Sequence, residues 1–116
     1  MNIIRTNIDT TDKKAVYRLT KSESQRVQDI EKGLSLPVDK WAYYSETKRD
    51  KEGNEKEQKV LSIVSGTMKI STISKTFIDS FFECVELMGD DPFSIVITGG
   101  SSSNGRQYVN CELDCD

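Results

Sequence analysis

The chain has 116 residues, of which 35% are hydrophobic and 30% charged, with 16 Lys or Arg against 19 Asp or Glu. This length supplies one hydrophobic core, so we expect a single domain over residues 1–116. The net charge of -3 argues against a protein that coats duplex DNA by bulk positive charge, and any nucleic-acid surface must be a local patch. No window is apolar enough for a membrane span or a signal peptide, which predicts a cytoplasmic protein with no membrane partner.

The chemistry-bearing residues argue against catalysis. The three cysteines Cys84, Cys111 and Cys115 match no zinc or disulfide spacing, and the chain has no histidine. We therefore expect reduced thiols, no metal and no cofactor, although Cys111 and Cys115 could in principle share a soft metal. Without histidine the usual nucleophile–base pairs are missing, so the sequence predicts a protein that is not an enzyme.

The first third of the chain predicts little regular structure. Residues 1–33 are expected to form an N-terminal arm in which residues 16–20 are the only short apolar island, as a strand or extended segment. Ser22 or Ser24 could cap a turn of helix whose Val27 and Ile30 face inward. Gly33 then breaks the segment.

The middle of the chain predicts three strands and one charged hairpin. Residues 38–47 are rich in aromatic side chains, residues 59–65 are apolar, and residues 68–73 alternate polar and apolar. Residues 48–58 read KRDKEGNEKEQ, and they hold almost nothing but charge around Gly53-Asn54. Such a segment cannot enter the core, so we expect an exposed charged hairpin over 48–58.

The second half begins with the clearest helix. Ser74 can cap it and Gly89 can end it, and its apolar side chains recur three and four residues apart, at Phe77, Ile78, Phe81, Phe82, Val85, Leu87 and Met88. Residues 93–98 and 106–113 are typical of two strands joined by a loop rich in glycine and serine. The order strand, strand, strand, helix, strand, strand is that of the OB fold. We predict a mainly β chain with one helix, an OB-fold-like five-stranded barrel with an N-terminal extension.

Three segments carry short motifs in a fixed order. They are Lys21-Ser22-Glu23-Ser24, residues 71–81 (STISKTFIDSF) and residues 100–113 (GSSSNGRQYVNCEL). Together they resemble the small single-stranded DNA-binding proteins of phages and mobile elements of Gram-positive bacteria. The resemblance implies a non-catalytic protein that coats displaced strands during phage or plasmid replication in the bacterial host cell.

Sequence-tolerant binding of single strands requires aromatic rings that stack on bases and cations that contact phosphates. Alternation along the first long strand places Trp41 and Tyr43 on one face and Lys40 and Tyr44 on the other. Either pair could line a groove, although a lone Trp on a strand more often lies in the core.

The last strand and the centre of the chain supply the remaining candidates. Arg106 and Tyr108 share the outward face of the last strand, as a phosphate-plus-base pair or as a solvated edge. Lys69 and Lys75 add positive charge where it is otherwise scarce. The predicted nucleic-acid-binding residues are Trp41, Tyr43, Tyr44, Lys40, Lys69, Lys75, Arg106 and Tyr108.

Other partners stay open at this level. RNA is an alternative ligand because ring stacking does not distinguish a 2′-hydroxyl from hydrogen. The acidic C terminus, with Glu112, Asp114 and Asp116, could contact replication proteins, and an acidic helix face could make the chain a protein-interaction domain. Exposed strand edges could also pair two copies into a homodimer.

Overall fold

The computed structural model describes residues 1–101, 105 and 107–115. Within these residues it contains eight strands, two α-helices and one 3-10 turn. In chain order they are β1 (Asn2–Thr6), α1 (Lys13–Thr20), β2 (Gln25–Arg26), the 3-10 turn (Val27–Asp29), β3 (Ser35–Pro37), β4 (Lys40–Arg49), β5 (Glu55–Ser65), β6 (Met68–Thr72), α2 (Lys75–Met88), β7 (Ser94–Ser101) and β8 (Gln107–Leu113).

The strands form two sheets. The larger has the order β1-β4-β5-β6-β2 and the smaller the order β3-β7-β8, and among the described residues neither closes into a barrel. All pairs are antiparallel except β2 with β6, in which Gln25 lies opposite Ile70 and Arg26 opposite Ser71. The expected mainly β architecture is confirmed at this level, as two sheets and two helices rather than a closed barrel with one helix.

The two faces of the larger sheet bury different sets of side chains. Trp41, Leu61 and Ile70 belong to the main core, which lies between this sheet, α2 and the smaller sheet. Ala42 and Tyr44 belong to a second cluster, which Leu19 of α1 covers. The predicted alternation along β4 is confirmed, since successive side chains of a strand point to opposite faces.

The expectation of a strand or extended segment over residues 16–20 is wrong, because α1 runs from Lys13 to Thr20. Asp12 caps this helix by accepting a hydrogen bond from the Ala15 N–H. Leu19 and Thr20 are buried against the sheet, so the apolar island is one stripe of an amphipathic helix.

The rest of the first thirty residues also contacts the larger sheet. β1 pairs with β4, with Asn2 opposite Ser45 and Thr6 opposite Ala42. A 3-10 turn is present at Val27–Asp29, and both Val27 and Ile30 are buried as expected. The expected cap by Ser22 or Ser24 is wrong, because Arg26 precedes the turn and no side chain caps it. These elements cover strand edges that the sequence alone had left open.

The helix predicted after Ser74 is confirmed. Ser74 caps α2 by accepting from the Phe77 N–H, and Gly89 follows its last residue with φ 60°. Leu87 is an exception to the predicted inward face, because its side chain is 75% exposed. No helix among the described residues has the length and apolarity needed to cross a membrane.

The β4–β5 hairpin extends beyond the core. The ladder continues to Arg49 opposite Glu55, and the turn lies at residues 50–54, where Asp50 accepts hydrogen bonds from the Glu52 and Asn54 N–H groups. Residues 48–57 are all exposed.

Candidate nucleic-acid interface

The outer face of the larger sheet carries a cavity of about 470 Å³, which we call the strand-face cavity. Leu19 of α1 packs with Ala42 and Val64 on this face, and Thr20, the last residue of α1, lines the cavity. Side chains of β4, β5, β6 and the segment 20–28 line it, among them Arg26, Gln28, Lys48, Gln58, Lys69 and Ile73.

A second cavity, of about 610 Å³, lies between the first turn of α2 and the β4–β5 hairpin, and we call it the helix cavity. It exists because β6 ends at Thr72, opposite Leu61, while β5 starts at Glu55. Its lining includes Tyr43, Lys59, Ile73 and Lys75.

A third cavity, of about 460 Å³, lies where the 3-10 turn meets β7 and β8, and we call it the glycine cavity. Its lining is Gln28, Lys32, Gly99, Gly100, Gln107, Tyr108 and Val109. Gly33 brings Lys32 to this place, because its N–H donates to the Ile97 carbonyl of β7 at 2.9 Å.

Shared lining residues make the three cavities neighbours on the surface. Gln58 and Ile73 line both the helix cavity and the strand-face cavity. Gln28 lines both the strand-face cavity and the glycine cavity. A single extended ligand could therefore run from the start of α2, past the end of β6, to β8. We refer to this path as the groove.

The groove reverses the charge balance of the chain. Among the described residues that line its three cavities, six are cations and three are carboxylates. The cations are Arg26, Lys32, Lys48, Lys59, Lys69 and Lys75, and the carboxylates are Glu46, Glu57 and Asp79. A groove with excess positive charge attracts a polyanion although the whole chain is negative.

The predicted aromatic residues separate into accessible and buried rings. Trp41 is 5% exposed and packs edge-on against Phe81 and Phe82, so neither face of its indole is open to a base. Tyr44 is 4% exposed, and burial raises the pKa of its hydroxyl. Tyr43 is half-buried at the helix cavity, and Tyr108 is 54% exposed at the glycine cavity.

The predicted cations also differ in their surroundings. Lys75 is exposed in the helix cavity and lies 3.7 Å from Asp79. Lys40 is exposed at the start of β4 and lines none of the three cavities. Arg106 lies outside the described residues. The groove therefore brings together Tyr43, Tyr44, Lys69, Lys75 and Tyr108, but not Trp41 or Lys40.

Lys69 lies in the wall of the groove with little exposed surface. Lys69 is only 8% exposed, and this burial lowers the pKa of its ammonium group. The Lys69 Nζ donates to the Ser22 carbonyl at 2.7 Å. Next to it, the Ser24 and Ser71 hydroxyls are 2.8 Å apart. These contacts attach the segment 22–26 to β6.

Several groove residues were not predicted from the sequence. Arg26, Gln28 and Lys32 lie in the segment that was expected to be an N-terminal arm. The pairing of β2 with β6 places Arg26 in the groove, and the 3-10 turn that follows β2 places Gln28 there. No local signal distinguishes them, because their positions depend on contacts with residues far along the chain. Lys48 belongs to the segment 48–58 that was expected as an exposed charged hairpin, and Lys59 belongs to β5.

The comparisons with known proteins give one finding. The family model described as phage single-stranded DNA-binding protein, of the phi29 type, matches residues 1–114. A search of curated proteins and a search of solved structures each gave no match. Among the described residues, no group of three or more Cys, Asp or Glu side chains is placed to hold a metal ion.

Proposed function

The chain belongs to the family of phage single-stranded DNA-binding proteins and binds single-stranded DNA in phage replication, and from this premise we propose that the groove is its DNA-binding surface. The family match confirms the resemblance drawn from the three sequence motifs. Beyond the family's function, we propose which path the DNA follows on this protein and which residues contact it.

One observation carries the proposal, which is the excess of cations over carboxylates among the described residues that line the groove. Another cavity, of about 730 Å³, has the opposite character. Among the described residues that line it, Arg5 is the single cation beside four carboxylates, Asp39, Glu86, Asp90 and Asp91. The two surfaces thus differ in sign, and a phosphate backbone is attracted to only one of them.

Base stacking is the second contribution that sequence-tolerant binding needs. Tyr43 and Tyr108 supply partly or largely exposed rings near the two ends of the groove. Between them, the exposed Ile73 offers an apolar contact at 62% exposure. We assign the stacking to these tyrosines, and the phosphate contacts to Arg26, Lys48, Lys59 and Lys75.

We further propose that the strands form an OB-like, incompletely closed barrel. Only Val38 and Asp39 separate β3 from β4, so residues 35–49 act as one bent strand shared by both sheets. β2 and the 3-10 turn lie between β6 and β8, and they occupy the place where a closed barrel would pair those strands. This geometry supports an OB-like surface across β5 and β6.

The remaining parts of the proposal come from the family and the sequence. The protein acts without catalysis, on DNA in the cytoplasm of the host cell, as one domain. RNA as a second ligand, replication proteins at the acidic C terminus and a homodimer stay predictions. A competition between matched DNA and RNA oligomers tests the first of these.

Charge substitutions in the groove test the proposed surface. Lys48→Ala and Arg26→Ala each remove one cation from the strand-face cavity. Each should weaken binding of a deoxythymidine oligomer and reduce the slope of log K against log salt by about 0.7. The matched control is Lys13→Ala, because Lys13 is an exposed lysine of α1 that lines none of the three cavities.

The measurement is a fluorescence-anisotropy titration at several salt concentrations. Smaller slopes for both groove variants, with the wild-type slope for Lys13→Ala, would support the groove as the DNA surface. Equal slopes for all four proteins would show that the DNA binds elsewhere on the chain.

A further inference from the structure

The glycine cavity has a floor of bare backbone. Gly99 and Gly100 lie opposite Val109 and Tyr108 in the β7–β8 ladder. A Cβ atom added to Gly100 would lie 3.2 Å from the Tyr108 Oη and 3.5 Å from two ring carbons. The Tyr108 ring therefore rests on the Gly100 backbone, which supports one side of the ring while 54% of the residue stays exposed.

The Lys32 stem uses the neighbouring glycine in the same way. A Cβ atom added to Gly99 would lie 2.9 Å from the Lys32 Cε and 2.5 Å from the Tyr108 carbonyl oxygen. The stem thus passes across Gly99, and its ammonium is held at the cavity wall, 3.5 Å from the Gln28 carbonyl. Two consecutive glycines place a ring and a cation around one small space.

The lining differs in charge from the other two cavities of the groove. Among the described residues that line it there is no carboxylate, whereas Glu46 lines the strand-face cavity and Asp79 the helix cavity. Lys32 is its cation, and Gln28 and Gln107 add carboxamides that can donate and accept hydrogen bonds. A supported aromatic ring, an unopposed cation and neutral polar groups fit one nucleotide.

We propose that the glycine cavity is a subsite for a single nucleotide, whose base stacks on Tyr108 and whose phosphate is bound by Lys32. The inference rests on the proposed function and deepens it, because it assigns one position of the bound strand to one cavity. Gly100 acts as a positioning residue, since a side chain there would tilt the ring away from the base.

Single abasic nucleotides test the subsite. The probe is the shortest deoxythymidine oligomer that binds with full affinity, so that one register is available. An abasic nucleotide is moved through it one position at a time. For the wild-type protein, the position bound in the glycine cavity should lose affinity on the order of tenfold, because its base no longer stacks on Tyr108. A position stacked on Tyr43 would also lose affinity, and the variants below distinguish the two.

Four variants assign that position to the cavity. Tyr108→Ala should abolish the difference between base and abasic nucleotide at that position alone, and Tyr108→Phe should keep it. Gly100→Ala should reduce this difference, because the added methyl displaces the Tyr108 ring. The fold should be retained, since the methyl meets only the far end of a flexible side chain. Tyr17→Ala is the matched control, since Tyr17 is 63% exposed on α1 and lines none of the three cavities.

Lys32→Ala tests the phosphate contact separately, and it should reduce the salt slope by about 0.7. The subsite is overturned if the oligomer binds but Tyr108→Ala leaves every abasic penalty unchanged, or if Tyr17→Ala has the same effect as Tyr108→Ala. Failure of the proposed function looks different, because Lys48→Ala and Arg26→Ala would then leave the salt slope unaltered.

Discussion

The substitution Lys69→Met tests whether this buried cation in the groove wall binds DNA or stabilises the fold. Methionine keeps an unbranched stem of similar length and removes the ammonium. The ammonium donates to the Ser22 carbonyl at 2.7 Å, and the Ser22 hydroxyl lies 3.5 Å away. Because the side chain is buried and already bound, we expect Lys69 to act on DNA only by fixing the segment 22–26.

The contacts set the size of the effect. A hydrogen bond from a charged donor contributes about 1.5 to 3 kcal/mol. Burial lowers the pKa of Lys69, so desolvation costs the ammonium more than its charge gains over the neutral amine. The stability lost in Lys69→Met therefore comes from the Ser22 carbonyl left without its donor, and the free energy of unfolding should fall by roughly 1 to 2 kcal/mol.

The lowered pKa adds a pH signature with a defined sign. Above the folded-state pKa and below 10.5, the unfolded chain binds a proton at Lys69 and the folded protein does not. The free energy of unfolding contributed by this group therefore rises with pH in that window. Lys69→Met should lack the rise.

Urea unfolding at several alkaline pH values measures both effects, and the salt dependence of DNA binding measures a third. For Lys69→Met we expect lower stability with an unchanged salt slope, whereas a phosphate ligand would lose about 0.7 from the slope. Wild-type stability combined with a reduced slope would refute the structural role of Lys69.

Three further outcomes follow from buried groups. Burial raises the pKa of Cys111 from 9.0 to about 12, so the stability that its neutral thiol contributes is fully present below pH 9.0 and is lost as pH rises toward 12. In wild-type protein the free energy of unfolding should therefore decline by about 4 kcal/mol over this range, and Cys111→Val should lack the decline. Parallel unfolding profiles for the two proteins would contradict this. Ser74→Ala should lower the free energy of unfolding by about 1 kcal/mol in urea, because the Phe77 N–H loses its 3.3 Å acceptor. Selectively excited Trp41 emission should stay almost constant when DNA saturates the protein, and strong quenching would mean that the indole is not sealed in the core.

The sequence predicts the second half of the fold well because its signals are local. α2 shows a helical period between a serine cap and a terminal glycine, and the observed helix runs from Lys75 to Met88. β8 shows alternation, and Val109 and Cys111 are buried while Tyr108 is exposed. In both cases one period of apolar residues matches one buried face.

The fold of the first third of the chain was harder to predict, because its sequence patterns are short. α1 has only eight residues, and its apolar positions can be read as an island of a strand. The informative pattern was Asp12 three residues before Ala15, followed by Val16, Leu19 and Thr20 at helical spacing. Short helices of this kind are stabilised by packing on a sheet, which a local pattern does not report.

The proposed site depends on contacts between distant segments, so only part of it was predictable from the sequence. Tyr108 follows from alternation along one strand, and the burial of Trp41 follows from the usual place of a lone tryptophan. Lys32 lies against Gly99 because β3 pairs with β7 and the Gly33 N–H extends this pairing by donating to the Ile97 carbonyl. No spacing within the sequence brings residues 32 and 99 together.

The distribution of charge explains how an acidic chain can bind DNA. Repulsion by the net charge of -3 acts over a Debye length, about 8–10 Å at physiological salt, so distant carboxylates matter less than those beside the phosphates. Three acidic residues at the end of α2 and in the following turn, Glu86, Asp90 and Asp91, line the cavity of about 730 Å³ that contains Arg5, and not the groove. Asp79, nearer the start of α2, lines the helix cavity. With Lys69 used internally, five groove cations remain, which limits the expected salt slope to roughly 3.5. A modest electrostatic contribution leaves stacking to supply much of the affinity, so a phosphate-rich strand without bases should bind poorly.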